Sequence, residues 1–326
     1  MRTRRTIARW GVIALPLIAT FGSVFAAGYP DHPIKMIVGF PAGQSTDASA
    51  RRIAASMTAT LKQPVFVDNR PGAAGIISHD AVKKAPPDGY TLLMGSTGTL
   101  SINPALYRKL PYDTARDFEP VALVAAAPLV LFTSASSPFK NVKQLIAYAK
   151  AHPGKLTYGS SGSGTTQHIA MEMLKKTAGI YMLHIPYKGS APMVTDVIGG
   201  QVDLAFEPAA SVLPFAKSGK IKLLGFATLK RSAVAPDVPT LSEQGLTGFE
   251  AVPWSAILAP KGTPSDVVMQ LNKAINTALT DPEVLETFAS TGSYALGGSV
   301  AELQKFMRSE TLRWGKAVKD SGAQVD

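Results

Sequence analysis

"VGFPAGQSTDASARRIAASM", residues 38–57, is the stretch on which the fold turns. The apolar run "IKMIVGF" (34–40) halts at Pro41-Ala42-Gly43, and small hydroxyl and amide residues follow. Ala50, Ile53, Ala54, Met57 and Leu61 then recur at helical spacing. The pattern predicts a strand, a tight loop and a helix, with the loop cleared of bulk. It returns at "LTYGSSGSGTTQHIAMEML", residues 156–174, where Ser160, Ser161, Gly162, Ser163, Gly164, Thr165 and Thr166 fill the loop. The first amides of a helix lack internal partners and carry the positive end of its dipole. Such a loop suits an anion. It equally suits an ordinary turn whose Gly and Ser only cap the helix.

Outward from these two stretches the chain keeps alternating. "PVFVDNRPG" (64–72), "YTLLMGS" (90–96), "YMLHIPY" (181–187), "VDLAFEP" (202–208) and "IKLLGFAT" (221–228) read as strands, mostly separated by helical patterns. This predicts an α/β architecture with largely parallel sheets. "VALVAAAPLVLFT" (121–133) and "VPWSAILAP" (252–260) are apolar strands that bracket a central block. Read as crossings, they divide the chain into two lobes. Residues 27–125 plus 253–326 make lobe 1 and residues 126–252 make lobe 2, with the helical C-terminus packed back on lobe 1.

Composition removes several classes of function. With 326 residues and 46% hydrophobic content the chain can fill a core, and disorder is excluded. Residues 1–26 read as a secretory signal peptide: four arginines, an apolar stretch from Gly11 to Phe25, then "SVFA" at a cleavage position. Export is therefore expected. Removing those four arginines lowers the net charge from +10 to +6. No later Lys/Arg run exceeds two residues, so no nucleic-acid stripe is present. Without cysteine there is no disulfide and no thiolate metal site. The longest later apolar run, Val121 to Phe132, is too short to span a bilayer.

Chemical motifs narrow the reading further. "GSSGSGTT" imitates a phosphate loop but has Thr165 where that loop needs lysine. No G-x-S-x-G elbow surrounds Ser161 or Ser163. The five histidines (32, 79, 152, 168 and 184) are scattered, without metal-ligand spacing, so neither metal nor cofactor is expected. His168 and His184 are read as ligand contacts or as hydrogen-bonded structural residues, and both readings stay open. Tyr187 could project a phenol into a cleft, or sit in a solvated turn. Glu207 could meet a ligand's distal polar group, or be an edge-strand charge.

Segments spread over nearly the whole exported chain resemble one family. They include "YPDHPIKMIVGFPAGQSTDASAR", "VDNRPGAAGIISHDAVKKAPPDGYTLLMGS", "SSGSGTTQHIAMEML", "IPYKGSAPMVTDVIGGQVDLAFE" and "LAPKGTPSDVVMQLN". Together they resemble the Bug family, the periplasmic solute-binding proteins of tripartite tricarboxylate transporters. The resemblance implies a type II periplasmic-binding-protein fold, two α/β lobes closing over a small carboxylate. It implies that Pro41, Ala42, Gly43, Gln44, Ser45 and Asp47 face Ser160, Ser161, Gly162, Gly164, Thr165 and Thr166. Phe40, Ser96, His168, Tyr187 and Glu207 complete the candidate set. Three positions depart from the family pattern: Gln44 and Ala74 stand where the family usually has glycine, and Glu207 where it often has aspartate.

The expected role is capture of an organic acid in the periplasm by a monomer and its delivery to permease subunits. Two alternatives remain at this level: a co-receptor for a sensor kinase, and an enzyme using Lys188 or His168 on an anionic substrate.

Overall fold

The computed structural model describes residues 28–43, 45–290 and 292–323, in which the chain builds two mixed β-sheets. The expected signal segment and Gln44 lie outside the described residues. The strands are β1 (Ile34–Val38), β2 (Val65–Asn69), β3 (Thr91–Ser96), β4 (Phe118–Ala126), β5 (Leu129–Ser134) and β6 (Thr157–Ser160). They continue with β7 (Leu183–Pro186), β8 (Leu204–Pro208), β9 (Ile221–Phe226), β10 (Trp254–Pro260) and β11 (Tyr294–Ala295). The first sheet runs β11-β4-β10-β3-β1-β2 and the second β7-β6-β8-β5-β9.

Burial on both faces explains the unbroken apolar runs. Met36 and Val38 point toward Ala50, Ile53 and Met57 of the helix Ser45–Leu61 and Leu271 of the helix Ser265–Ala278. Ile37, between them, points the other way, toward Val82, Leu93 and Trp254. The second sheet is covered likewise, with Leu131 and Phe206 on one side and Phe132 and Ala205 on the other.

The sheets are mixed rather than largely parallel: in the first, β10 and the two-residue edge strand β11 run against the other strands, and in the second β5 does. β10 is antiparallel to β3 and β4, and β5 is antiparallel to β8 and β9. These are the strands that follow the two passages between sheets. A chain leaving one sheet at the carboxyl end of a parallel strand enters the next at that same end, so it must run backwards. "VALVAAAPLVLFT", expected as one crossing strand, is therefore two strands in different sheets, divided at Ala127-Pro128. Proline has no N–H for a ladder, which ends the pairing there. The registers fix the consequence: Ala126 and Ser96 pair with Trp254 and Ser255, while Pro208 and Glu207 pair with Leu129 and Val130. The carboxyl ends of the parallel strands in both sheets thus lie where the chain crosses.

The C-terminal helix, Val300–Ser321, departs from the expectation that it packs on lobe 1. Leu303 and Met307 do join the first sheet's cluster with Phe118 and Trp254. Trp314, Ala317 and Val318 instead enter the second sheet's core beside Leu129, Ile169 and Leu174. At its end Asp320 meets Lys176 at 2.5 Å. A 22-residue helix spans about 33 Å, enough to lie across both lobes.

Candidate functional site

Both small-residue loops sit at the crossing ends. The first follows β1 and leads into the helix Ser45–Leu61; the second follows β6 and leads into Thr166–Ala178. Ser96 closes β3, and Glu207 lies near the end of β8. The topology therefore sets Phe40 to Gly43, Ser96, Ser160 to Thr166 and Glu207 on the ends of two sheets that face the passages between them.

In the first loop Asp47 holds the backbone. It is 2% exposed; Oδ2 accepts from the Gly43 N–H at 2.9 Å and from Arg51 Nε at 3.0 Å, and Oδ1 accepts from Asn69 Nδ2 at 2.8 Å. Asn69 Nδ2 also donates to the Phe40 carbonyl at 3.1 Å, and Arg51 donates to Asn69 Oδ1 at 2.8 Å. Burial alone would raise the Asp47 pKa, but Arg51, the Gly43 amide and Asn69 hold it below the usual carboxylate range. A carboxylate so fully engaged shapes the loop and is not available to a ligand. Pro41, Ala42 and Gly43 are exposed beside it. Sequence reasoning missed Arg51, although its i, i+4 spacing from Asp47 is a helix ion-pair signal.

The second loop is also tied down from within. Ser160 is fully buried; its Oγ lies 2.7 Å from His184 Nε2, donates to the Gly162 carbonyl at 3.0 Å and receives the Gly162 N–H at 3.2 Å. The Gly164 N–H donates to His168 Nδ1 at 3.0 Å. Thr165 caps the helix, its Oγ1 accepting from the His168 N–H at 3.4 Å and donating to the Gly162 carbonyl at 2.8 Å. So the Gly43, Gly162 and Gly164 amides, expected as anion donors, all have internal acceptors. The Ser161 and Ser163 hydroxyls have no hydrogen-bond partner among the described residues, and Ser161 and Thr166 are partly exposed. Side-chain hydroxyls, more than glycine amides, are what this loop offers.

The remaining candidates divide. His168 is 6% exposed and engaged with Gly164, which favours its structural reading. The Tyr187 hydroxyl donates to Asp196 Oδ2 at 2.6 Å, so its phenol serves the fold; burial and Asp196 push its pKa up to about 12. Glu207 is 1% exposed beside Gln167, whose Nε2 is 3.5 Å from Oε1. Burial raises its pKa to about 7, and hydrogen bonds from Ser190 and Gln167 only partly offset this. Since the folded value lies above the unfolded one, Glu207 favours the folded state below about pH 4.5, and that contribution is lost as pH rises through 7. Urea unfolding at pH 5 and pH 8 should show the difference. Glu207→Gln is expected to flatten it by roughly 3 kcal/mol; an equal pH slope in the variant would remove Glu207 as its cause.

Two surface cavities, of about 470 and 580 Å³, lie away from both loops, the first beside Arg52 and Glu283, the second between Ser101 and Leu312. Among the described residues no cluster of three His, Cys, Asp or Glu could hold a metal, and no helix is long and apolar enough to cross a membrane.

Comparison with known proteins agrees with this architecture. BugT of Bordetella pertussis is 38% identical over 329 aligned residues, covering all of both chains. The solved structure of Rpa4515 from Rhodopseudomonas palustris with adipate matches at a TM-score of 0.79, with 35% identity over 91% of this chain and 100% of its own. MatC from the same organism, with bound malate, matches at 0.75, with 32% identity over 89% and 100% of the two chains. The resemblance to Bug proteins and the two-lobed type II periplasmic-binding-protein fold are both borne out. The family's members are receptors rather than enzymes, in keeping with loops whose polar groups mostly bond one another. Matched over residues 49–323 by the model of the tripartite tricarboxylate transporter family receptor, this chain belongs to that family.

Proposed function

We propose that the protein binds a small carboxylate between its lobes, in the periplasm, and presents it to the permease of a tripartite tricarboxylate transporter. One observation carries the reading: two strand-to-helix loops of small hydroxyl and glycine residues stand at the crossing ends of two separate sheets. The Ser161 hydroxyl and the open face at Pro41–Gly43 supply the contacts, while Asp47, Ser160 and His168 hold the loops in shape. The division at residues 125/126 and 252/253 remains our reading of the lobes. A ligand bridging both halves binds the closed state more tightly than the open one, which drives closure. The related proteins solved with adipate and malate support the ligand class.

Calorimetry on the exported chain should show one-to-one binding of a carboxylate from a panel including malate and adipate, with no turnover. Ser161→Ala should weaken that binding about tenfold, the loss of one hydrogen bond to a charged group. Its urea midpoint should not move. A panel without a binder, or a Ser161→Ala protein that binds as the parent does, would count against this site.

A further inference from the structure

We propose that the stacked pair His168 and His184 positions the 160–166 loop, acting through the Gly164 amide and the Ser160 hydroxyl. The inference rests on that loop being half of the ligand site. The two rings stack at 4.0 Å with a 9° tilt, and Tyr158 stacks on His184 at 4.8 Å. They come from different elements: His168 from the first turn of the helix Thr166–Ala178, His184 from edge strand β7, and Tyr158 from β6. Beneath them the Tyr158 hydroxyl bonds to Glu172, which also takes Lys175 Nζ at 2.6 Å. The stack is thus a short column that carries the position of three elements to the loop.

The hydrogen bonds fix the proton. Because the Gly164 N–H donates to His168 Nδ1, that nitrogen is an acceptor and the ring's own proton sits on Nε2, facing Glu172 Oε1 at 3.9 Å. A second proton on Nδ1 would set two N–H groups head to head, and the Gly164 amide would have to turn away. The groups facing His168 are Glu172 and Lys175 on its own helix, His184 on β7 and Tyr158 on β6. Burial opposes the charged ring, Glu172 favours it and Lys175 opposes it. Burial lowers the pKa of His168, and burial with His168 takes His184 down to about 4. The loop is therefore held at neutral pH and loosens only in acid below the ordinary histidine range, where His168 takes up its second proton.

Hydrogen exchange of the ligand-free protein tests this without any ligand. His168→Leu removes the acceptor. His168→Asn keeps an acceptor near the Nδ1 position but cannot titrate. Protection of the 160–166 amides, corrected for intrinsic rates, should fall tenfold or more in His168→Leu at pH 7.5. The parent should lose protection as the pH is lowered from 7.5 to well below the ordinary histidine range, and His168→Asn should keep it throughout. Unchanged protection in His168→Leu, or the parent's acid loss persisting in His168→Asn, overturns the proposal. In a second arm with malate or adipate as probe, the Leu variant should bind at least tenfold more weakly and the Asn variant within threefold of the parent. Equal binding by the Leu variant also overturns it. If no carboxylate of the panel binds the parent, the carboxylate reading fails while the exchange result still decides the role of the histidines.

Discussion

Replacing Glu310 by alanine is expected to lower the unfolding free energy by about 3–5 kcal/mol, the cost of breaking a buried charged network from one side. Glu310 is 5% exposed in the C-terminal helix, and its Oε2 accepts three donors. Trp254 Nε1 lies at 2.9 Å, Trp314 Nε1 at 3.0 Å and an Arg313 guanidinium nitrogen at 2.8 Å. Truncation would leave two buried indole N–H groups without an acceptor and remove one of the two carboxylates on Arg313. The other, Glu250, lies 2.9 Å away just before the return passage between sheets. Glutamine should be milder, since its oxygen can still take an indole. Urea denaturation of parent and both variants measures the difference, and a loss below about 1 kcal/mol in Glu310→Ala would show that the network adds little.

The position of this network matters as much as its strength. Trp254 opens β10 directly after the return passage, whereas Trp314 is packed in the second sheet's core. One carboxylate oxygen therefore ties together a strand of one lobe and an indole seated in the other. The third tryptophan of the sequence, Trp10, falls in the expected signal segment, outside the described residues. Tryptophan fluorescence of a chain spanning residues 27–326 therefore reports this junction alone.

Local patterns carried most of the fold. The 3.6-residue recurrence of Ala50, Ile53, Ala54, Met57 and Leu61 marked a helical face; the first four are buried, and Leu61 packs partly buried against the same core. What local pattern cannot express went unread. The helix Ala209–Lys217 contains Pro214, which removes a hydrogen bond and reads as a break. The helical turns from Gly98 to Leu106 are too short for a period to register. The candidate loops were visible as loops, but which groups they leave open was not. That depends on Asp47 reaching Gly43 and on His168 reaching Gly164, bonds set by loop conformation. Asn69 joins the first loop from a separate strand, and Trp254 meets Glu310 across 56 residues. No short-range signal encodes either contact.

Gly164→Ala should be the most damaging single-methyl change in the second loop, for two separable reasons. Gly164 has φ of +78°, where an L-residue is strained by about 1–2 kcal/mol. Its added Cβ would also stand 2.2 Å from Leu106 Cδ2. Leu106 cannot simply swing aside: it is 5% exposed and packed among second-sheet residues such as Leu129 and Tyr158, although it follows β3 of the first sheet. The clash thus falls on the seam between lobes, and overpacking there adds about 1–3 kcal/mol. We expect a total loss near 3 kcal/mol and at least tenfold weaker carboxylate binding, because the loop must retreat from the seam. Leu106→Ala alone should destabilise by about 2–5 kcal/mol through its cavity. In the double variant the new methyl group occupies part of that cavity, so the two losses should fall short of additivity by about 1–2 kcal/mol. Strictly additive losses in urea unfolding would mean that the loop and Leu106 do not touch in solution, and the seam would have to be placed elsewhere.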